Sequence, residues 1–236
     1  MEDADQICRV YFSKPGLRIH QRPVVNAVLA GDNVIGILAT GGGKSLTYQV
    51  PYMLSTGITI VVSPLIALID DQVNGLPAAL RESTVILSGD NGMLSKSISQ
   101  AVVNTGRCLI YTGPEKLSHF IGLQTLPAPV IRLVLDEAHC ASEWGNTFRD
   151  AYLLLPRLWE QLGKPQIQAM TATASESTLN DLMSMFPVSF TVIRSSIYRS
   201  NLFLTAIEHQ ATEHRDNHLQ MLIRNRVGPV IIYANS

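Results

Sequence analysis

Short apolar runs alternate with stretches of helical periodicity along most of this chain. Val34–Leu38, Ile58–Val62, Thr84–Leu87, Cys108–Tyr111, Val130–Leu135, Gln166–Met170 and Val188–Ile193 read as strands, several apolar enough to be covered on both faces. Between them, Leu46–Val50, Leu65–Leu76, Met93–Val103, Ala151–Leu162 and Ser175–Phe186 read as helices. Ser175 is placed to cap the last of these, and Pro156 weakens the early turns of the fourth. Gly89–Gly92 reads as a turn, and Gly113-Pro114 breaks the strand before it. Repeated strand–helix units predict an α/β fold: a mostly parallel sheet flanked by helices on both faces.

The last forty or so residues follow a different pattern. Residues 195–200 are polar and loop-like, Asn201–Ile207 reads as a strand, and Thr212–Arg226 as a helix. Gly228-Pro229 then introduces Val230–Tyr233, another strand-like run. The expected organisation is one lobe over 1–194 and, over 195–236, a connector with the start of a second lobe. A final strand added to an edge of the first sheet is the alternative.

Chemistry enters at the end of the first strand. Thr40-Gly41-Gly42-Gly43-Lys44-Ser45 sits between that strand and a helix, the context of a phosphate-binding loop. Glycines let backbone N–H groups turn inward, and the helix N-terminus adds positive potential. Lys44 would neutralise terminal phosphates, and the Ser45 hydroxyl would hold Mg²⁺. Leu38 stands where the strict pattern has glycine. Val130–Leu135 ends in Asp136-Glu137-Ala138-His139, which puts carboxylates at the ligand edge of a parallel sheet. Asp136 is suited to hold Mg²⁺ through water, and Glu137 to orient and deprotonate an attacking water. Taken alone, the tetrapeptide also reads as acids favoured at a helix N-terminus.

Composition narrows the class only a little. The chain has 236 residues, is 46% hydrophobic and 16% charged, and carries a formal net charge of −1, so any basic path for nucleic acid is local. No apolar run approaches the ~20 residues that span a bilayer. The acidic first residues lack the pattern of a signal peptide. Cys8, Cys108 and Cys140 form no zinc pattern and read as reduced thiols of a cytosolic protein, in the nucleus if the source is eukaryotic.

Six motifs in order carry a family resemblance. They are residues 40–45 with Tyr48-Gln49-Val50-Pro51; residues 61–68 with Asp71-Gln72-Val73; residues 111–117; residues 136–145 with Phe148-Arg149; residues 171–174; and residues 231–236. The set resembles the first motor lobe of a superfamily 2 helicase, most closely the RecQ family of DNA helicases. The resemblance implies a RecA-like P-loop domain that binds ATP and Mg²⁺. It implies hydrolysis stimulated by single-stranded or partly duplex DNA, serving 3′-to-5′ unwinding. By the same resemblance Lys44, Asp136, Glu137 and His139 are catalytic. Arg18 and Gln21 join residues 40–45 at the nucleotide, with Gln21 reading adenine. Ser63, Pro64, Thr112 and Glu115 contact the nucleic-acid backbone. Trp144, Phe148 and Arg149 form an aromatic-rich loop that senses DNA, although both rings also read as core aromatics. Thr171 and Thr173 couple hydrolysis to a second lobe, which contributes an arginine, so the expectation is weak unwinding by this chain alone. Leu17, Lys14 and Asn146 depart from the family's usual Phe, Tyr and His. An ATPase that loads or remodels a partner on DNA, and a nucleotide-gated binding module, are the other readings.

Overall fold

The structure, a computed structural model, describes residues 3–64, 66–87, 91–121, 126–143, 151–196 and 202–233. Seven strands make one sheet: β1 Val34–Ile37, β2 Gly57–Val62, β3 Thr84–Ile86, β4 Arg107–Thr112, β5 Val130–Asp136, β6 Gln166–Thr171 and β7 Thr191–Arg194. Their order is β3-β4-β2-β5-β6-β1-β7, and every pairing is parallel. All carboxyl ends therefore lie on one edge, which is where crossover loops gather ligand-binding groups.

Successive strand residues point to opposite faces, and the core divides accordingly. Leu133 and Leu135 of β5 pack with Ile58, Ile60 and Ile167 against α6 (Asn91–Thr105), α7 (Pro114–Ile121), α9 (Leu155–Gln161) and α10 (Glu176–Met185). Val134, between them in sequence, joins Val61, Leu109 and Tyr111 beneath Tyr48 and Tyr52 of α3 (Leu46–Met53). Ile69 of α4 (Ile66–Asn74) and Leu80 of α5 (Ala78–Arg81) complete that layer. The short α8 spans Cys140–Glu143.

Two helices precede β1 that periodicity alone did not predict. α1 (Ala4–Phe12) is capped by Asp3, whose side chain accepts from the Asp5 N–H, and it buries Ile7 and Cys8. α2 (Arg22–Ala30) has a proline in its first turn and ends at Gly31, in the left-handed region with φ 94°. Asp5 ties the two together: it accepts from the Leu17 N–H at 2.8 Å and pairs with Arg22 at 2.8 Å.

Four expected elements differ in the structure. The helix expected over Ala151–Leu162 is interrupted at Leu154 and restarts as α9 with Pro156 in its first turn. A proline ring clashes with the turn before it, so it is accommodated at a helix start. α6 begins at Asn91, two residues inside the expected turn. Neither 202–207 nor 230–233 forms a strand, because no neighbouring strand takes up their backbone hydrogen bonds.

Met1–Ile197 and Tyr198–Ser236 are two separate compact units. The second contains α11 (Thr212–Arg224), none of whose residues is buried. Among the described residues, no helix is long and apolar enough to cross a membrane.

Candidate nucleotide site

The phosphate loop leaves β1 through Leu38, which is buried against Val24, Val28, Val34 and Met170 and whose N–H donates to the Thr171 carbonyl at 3.0 Å. Leu38 thus prolongs the strand line, and the turn proper begins after it. Gly41 and Gly43 take φ of 75° and 76°, which side chains resist. A Cβ on Gly42 would stand 2.7 Å from the Ala39 carbonyl oxygen. Two of the three glycines are required by their backbone conformation and the third by the close approach of a carbonyl. Thr40 is exposed, and Ser45 is the N-cap position of α3.

One segment, residues 18–21, collars this loop from outside. Arg18 Nη1 donates to the Gly41 carbonyl at 2.9 Å. His20 Nε2 lies 2.9 Å from the Gly42 carbonyl oxygen. Gln21 Nε2 donates to the carbonyls of Gly42 at 2.9 Å and Gly43 at 3.1 Å, while its Oε1 accepts from the Arg18 N–H at 2.8 Å. Both N–H groups of the Gln21 amide are thereby spent on the loop; one acceptor lone pair remains. A cavity of about 360 Å³ opens beside the collar, lined by Phe12, Lys14, Arg18, Gln21, Gly43 and Leu46 among others. Its size lies within the range of small-molecule sites. Phe12 supplies the aromatic surface there. The family resemblance places a ring at position 14, where this chain has Lys, and Phe12 lies two residues before it.

Across the sheet edge, β6 separates the loop from the acids: Ile37 pairs with Thr171 and Asp136 with Met170. Asp136 is the last residue of β5 and 4% exposed. Its Oδ2 accepts from Gln72 Nε2 at 3.0 Å and its Oδ1 from the Glu137 N–H at 3.1 Å. Burial pushes the Asp136 carboxyl above the usual carboxylate range, against the opposing effects of the Gln72 hydrogen bond and the Lys44 charge. Gln72 lies in the Asp71-Gln72-Val73 part of the second motif, and its role is visible only from this contact. The clue is its place three residues after Ile69, toward the covered face of α4.

Glu137 occupies the left-handed region, φ 47°, uncommon for a residue with a side chain. Such strain persists where surrounding structure holds it. Here Glu137 Oε1 meets Lys44 Nζ at 2.5 Å, and its Oε2 lies 3.4 Å from His139 Nδ1. His139 Nδ1 is also 2.9 Å from Thr171 Oγ1, which donates to the Thr173 carbonyl at 2.7 Å. With the hydroxyl proton spent on Thr173, Thr171 accepts from His139, which places a proton on Nδ1. Lys44, Glu137, His139, Thr171 and Thr173 therefore form one continuous polar chain, assembled from three strand ends.

The other candidates lie elsewhere on this edge or outside the described residues. Ser63 and Thr112 follow and end the neighbouring strands β2 and β4; each is 1% exposed, and the Ser63 N–H donates to the Thr112 carbonyl at 2.9 Å. Pro64 is buried, whereas Glu115 is exposed on α7. Trp144, Asn146, Phe148 and Arg149 lie outside the described residues.

Comparison with known proteins bears on the whole of this edge. A family model described as DEAD/DEAH box helicase matches residues 18–182. The chain is 34% identical over 238 residues to a Bacillus subtilis protein named probable ATP-dependent DNA helicase RecS, covering 99% of this chain and 47% of that protein. It is 38% identical over 224 residues to the Arabidopsis thaliana protein ATP-dependent DNA helicase Q-like 2, covering 88% of this chain and 31% of that one. The chain thus spans about half or less of these relatives. A solved structure of a hypothetical ATP-dependent RNA helicase from Sulfolobus tokodaii superposes with a TM-score of 0.61 at 20% identity, over 83% of this chain and 57% of that one. At that identity the match speaks for the fold.

Proposed function

The chain belongs to the DEAD/DEAH box helicase family and has a RecA-like fold, and from that premise we propose that it is the nucleotide-hydrolysing motor lobe of a RecQ-type DNA helicase. The observation that carries this reading is the meeting of Lys44 and Glu137, 93 positions apart in sequence, at 2.5 Å on the ligand edge of the sheet. A cation that neutralises phosphate and a carboxylate that handles a proton are the two groups such a reaction needs side by side.

ATP is the proposed substrate. The loop N–H groups and Lys44 bind its phosphates, and the cavity lined by Phe12, Lys14 and Arg18 takes its base and sugar. Ser45 and Asp136 fit Mg²⁺. They offer hard oxygen donors, and a carboxyl whose ionisation burial opposes gains from a neighbouring cation. When bound, the ion would neutralise charge on the phosphate oxygens. Glu137 takes the proton of the attacking water. His139, through Nδ1–H, holds Thr171 and with it the start of the Thr171–Thr173 turn, so movement there is felt at Glu137.

Single-stranded or partly duplex DNA is the proposed partner, with 3′-to-5′ unwinding as the activity served. This is supported by likeness to relatives named as DNA helicases and by the order of motifs that includes Trp144, Phe148 and Arg149. Ser63 and Thr112, both buried, are proposed to shape the backbone that Pro64 and Glu115 present, rather than to touch phosphates themselves. A second lobe, or a partner in its place, is proposed to dock against Thr173. A cytosolic or nuclear location accords with three buried cysteines, none of them in a disulfide. Steady-state Mg-ATP hydrolysis with and without single-stranded DNA tests the reading, with Glu137→Gln as the blank. Stimulated turnover in the parent and none in the variant is expected; DNA-independent turnover equal in both would overturn it.

A further inference from the structure

The three glycines that shape the phosphate loop also leave it loose. Glycine populates both signs of φ, so a peptide plane between two glycines can swing over at little steric cost. In a planar trans peptide the C=O and N–H point opposite ways. If the Gly42 carbonyl swung inward, the Gly43 N–H would turn outward, and a phosphate would meet an oxygen in place of a donor. Something must hold that plane. The Gly42 carbonyl has two lone pairs, and two side-chain nitrogens stand at 2.9 Å from it: Gln21 Nε2, which is buried, and His20 Nε2, which is half-buried. A Cβ built on Gly42 would stand 3.5 Å from His20 Nε2, so the imidazole is packed against the loop backbone itself.

We propose that His20 is a positioning residue for nucleotide binding: as the Nε2–H tautomer it donates to the Gly42 carbonyl, and with Gln21 it locks the Gly42–Gly43 peptide with its N–H facing the phosphates. The inference rests on the nucleotide-binding reading above and assigns the loop's order to a residue outside it. His20 touches no phosphate in this scheme. Its effect is to keep one donor pointing the right way. The effect therefore follows the phosphates and is indifferent to the base.

Two ligands separate this role from a merely structural one: Mg-ATP and inorganic tripolyphosphate, which has the phosphates without adenosine. Loss of one neutral hydrogen bond predicts that His20→Ala weakens both by the same factor, about fivefold. His20→Gln, which restores an amide N–H, returns most of that affinity. Equal affinity in His20→Ala and parent overturns the inference, as does a loss confined to ATP or a failure of glutamine to rescue. Should the alanine variant not fold, the imidazole nitrogens of the parent decide at alkaline pH by long-range ¹⁵N–¹H correlation. The Nε2–H tautomer of His20 is expected, and the Nδ1–H tautomer refutes the proposal. Lys44→Ala is the control on the premise. If the parent binds neither ligand better than that variant, the nucleotide reading itself fails; if the parent binds and His20→Ala binds equally, only the role of His20 fails.

Discussion

On the loop side of the site, Arg18, His20 and Gln21 hold backbone carbonyls through side-chain nitrogens reaching over from one neighbouring segment. On the acid side, Lys44 comes from one stretch of chain and Glu137 and His139 from another, and charge joins Lys44 to Glu137. In the proposed reading the loop side orders groups that bind. In the same reading the acid side orders groups that react, and it holds a buried carboxyl and a strained backbone among them. Lys44 belongs to both: it rises from the loop and rests on Glu137. In the proposed function a phosphate arriving at the loop competes with Glu137 for Lys44, which would make the ion pair the point where binding is communicated to that carboxylate.

If the two sides divide the work in this way, variants should separate binding from turnover. The largest effect is expected for Glu137→Gln. Loss of a general base lowers steady-state hydrolysis by about 10²- to 10⁴-fold, while nucleotide titration shows affinity kept or improved, because Lys44 no longer has a competing carboxylate. Turnover equal to the parent would remove Glu137 from the reaction. Next comes Lys44→Ala, which takes away charge-assisted hydrogen bonds to phosphate and should raise Kd for Mg-ATP by roughly 10- to 100-fold. Unchanged affinity would mean that the loop N–H groups alone suffice, and the proposed link between the sides would be broken.

Asp136→Asn sharpens the acid side. The Asp136 carboxyl titrates above its ordinary value of 3.8 in the folded protein because burial opposes its charge. The folded state thus holds that proton more tightly than the unfolded state. The Asp136 contribution to stability falls as pH rises from the unfolded value through the folded one. Asparagine has no such dependence. It can also offer an N–H to the Gln72 side-chain oxygen, which is buried without a partner among the described residues of the parent. Urea unfolding should show the variant gaining on the parent as pH rises from acid to neutral, even as metal-dependent hydrolysis is lost. A constant difference across that window would show that Asp136 is not penalised by its burial. The smallest effect compares two variants that both lack the carboxylate. Glu137→Gly should be more stable than Glu137→Gln by about 1 kcal/mol, since only glycine takes φ of 47° without strain. Equal stabilities would mean that the left-handed turn costs nothing.

Much of the first unit was legible in its residues. All seven strands overlap the expected apolar runs; β2, β4 and β5 are the clearest, because strands covered on both faces leave few polar interruptions to obscure them, whereas β7 is exposed at the sheet edge. Ser175 caps α10 as expected, with its hydroxyl accepting from the Thr178 N–H at 3.1 Å. The loop and the acid box were legible because each is contiguous in sequence. Contacts between distant residues were not: the pairing of Gln72 with Asp136, the reach of His20 to Gly42 and the place of Phe12 in the cavity depend on how α1, α2 and α4 pack. The second unit offers the counter-example. Helix 212–224 forms where periodicity put it, whereas 202–207 and 230–233 carry strand-like composition and form none.

The sequence by itself therefore determined the local matters. It decided where helices start, which runs can be strands, and where glycines and acids offer phosphate chemistry, because helix hydrogen bonds, caps and turns close within a few residues. Tertiary structure alone decided which apolar runs became strands, the order β3-β4-β2-β5-β6-β1-β7, and the meeting of Lys44 with Glu137. A strand satisfies its backbone only through a neighbour, and an ion pair across 93 positions exists only once the sheet between them has formed.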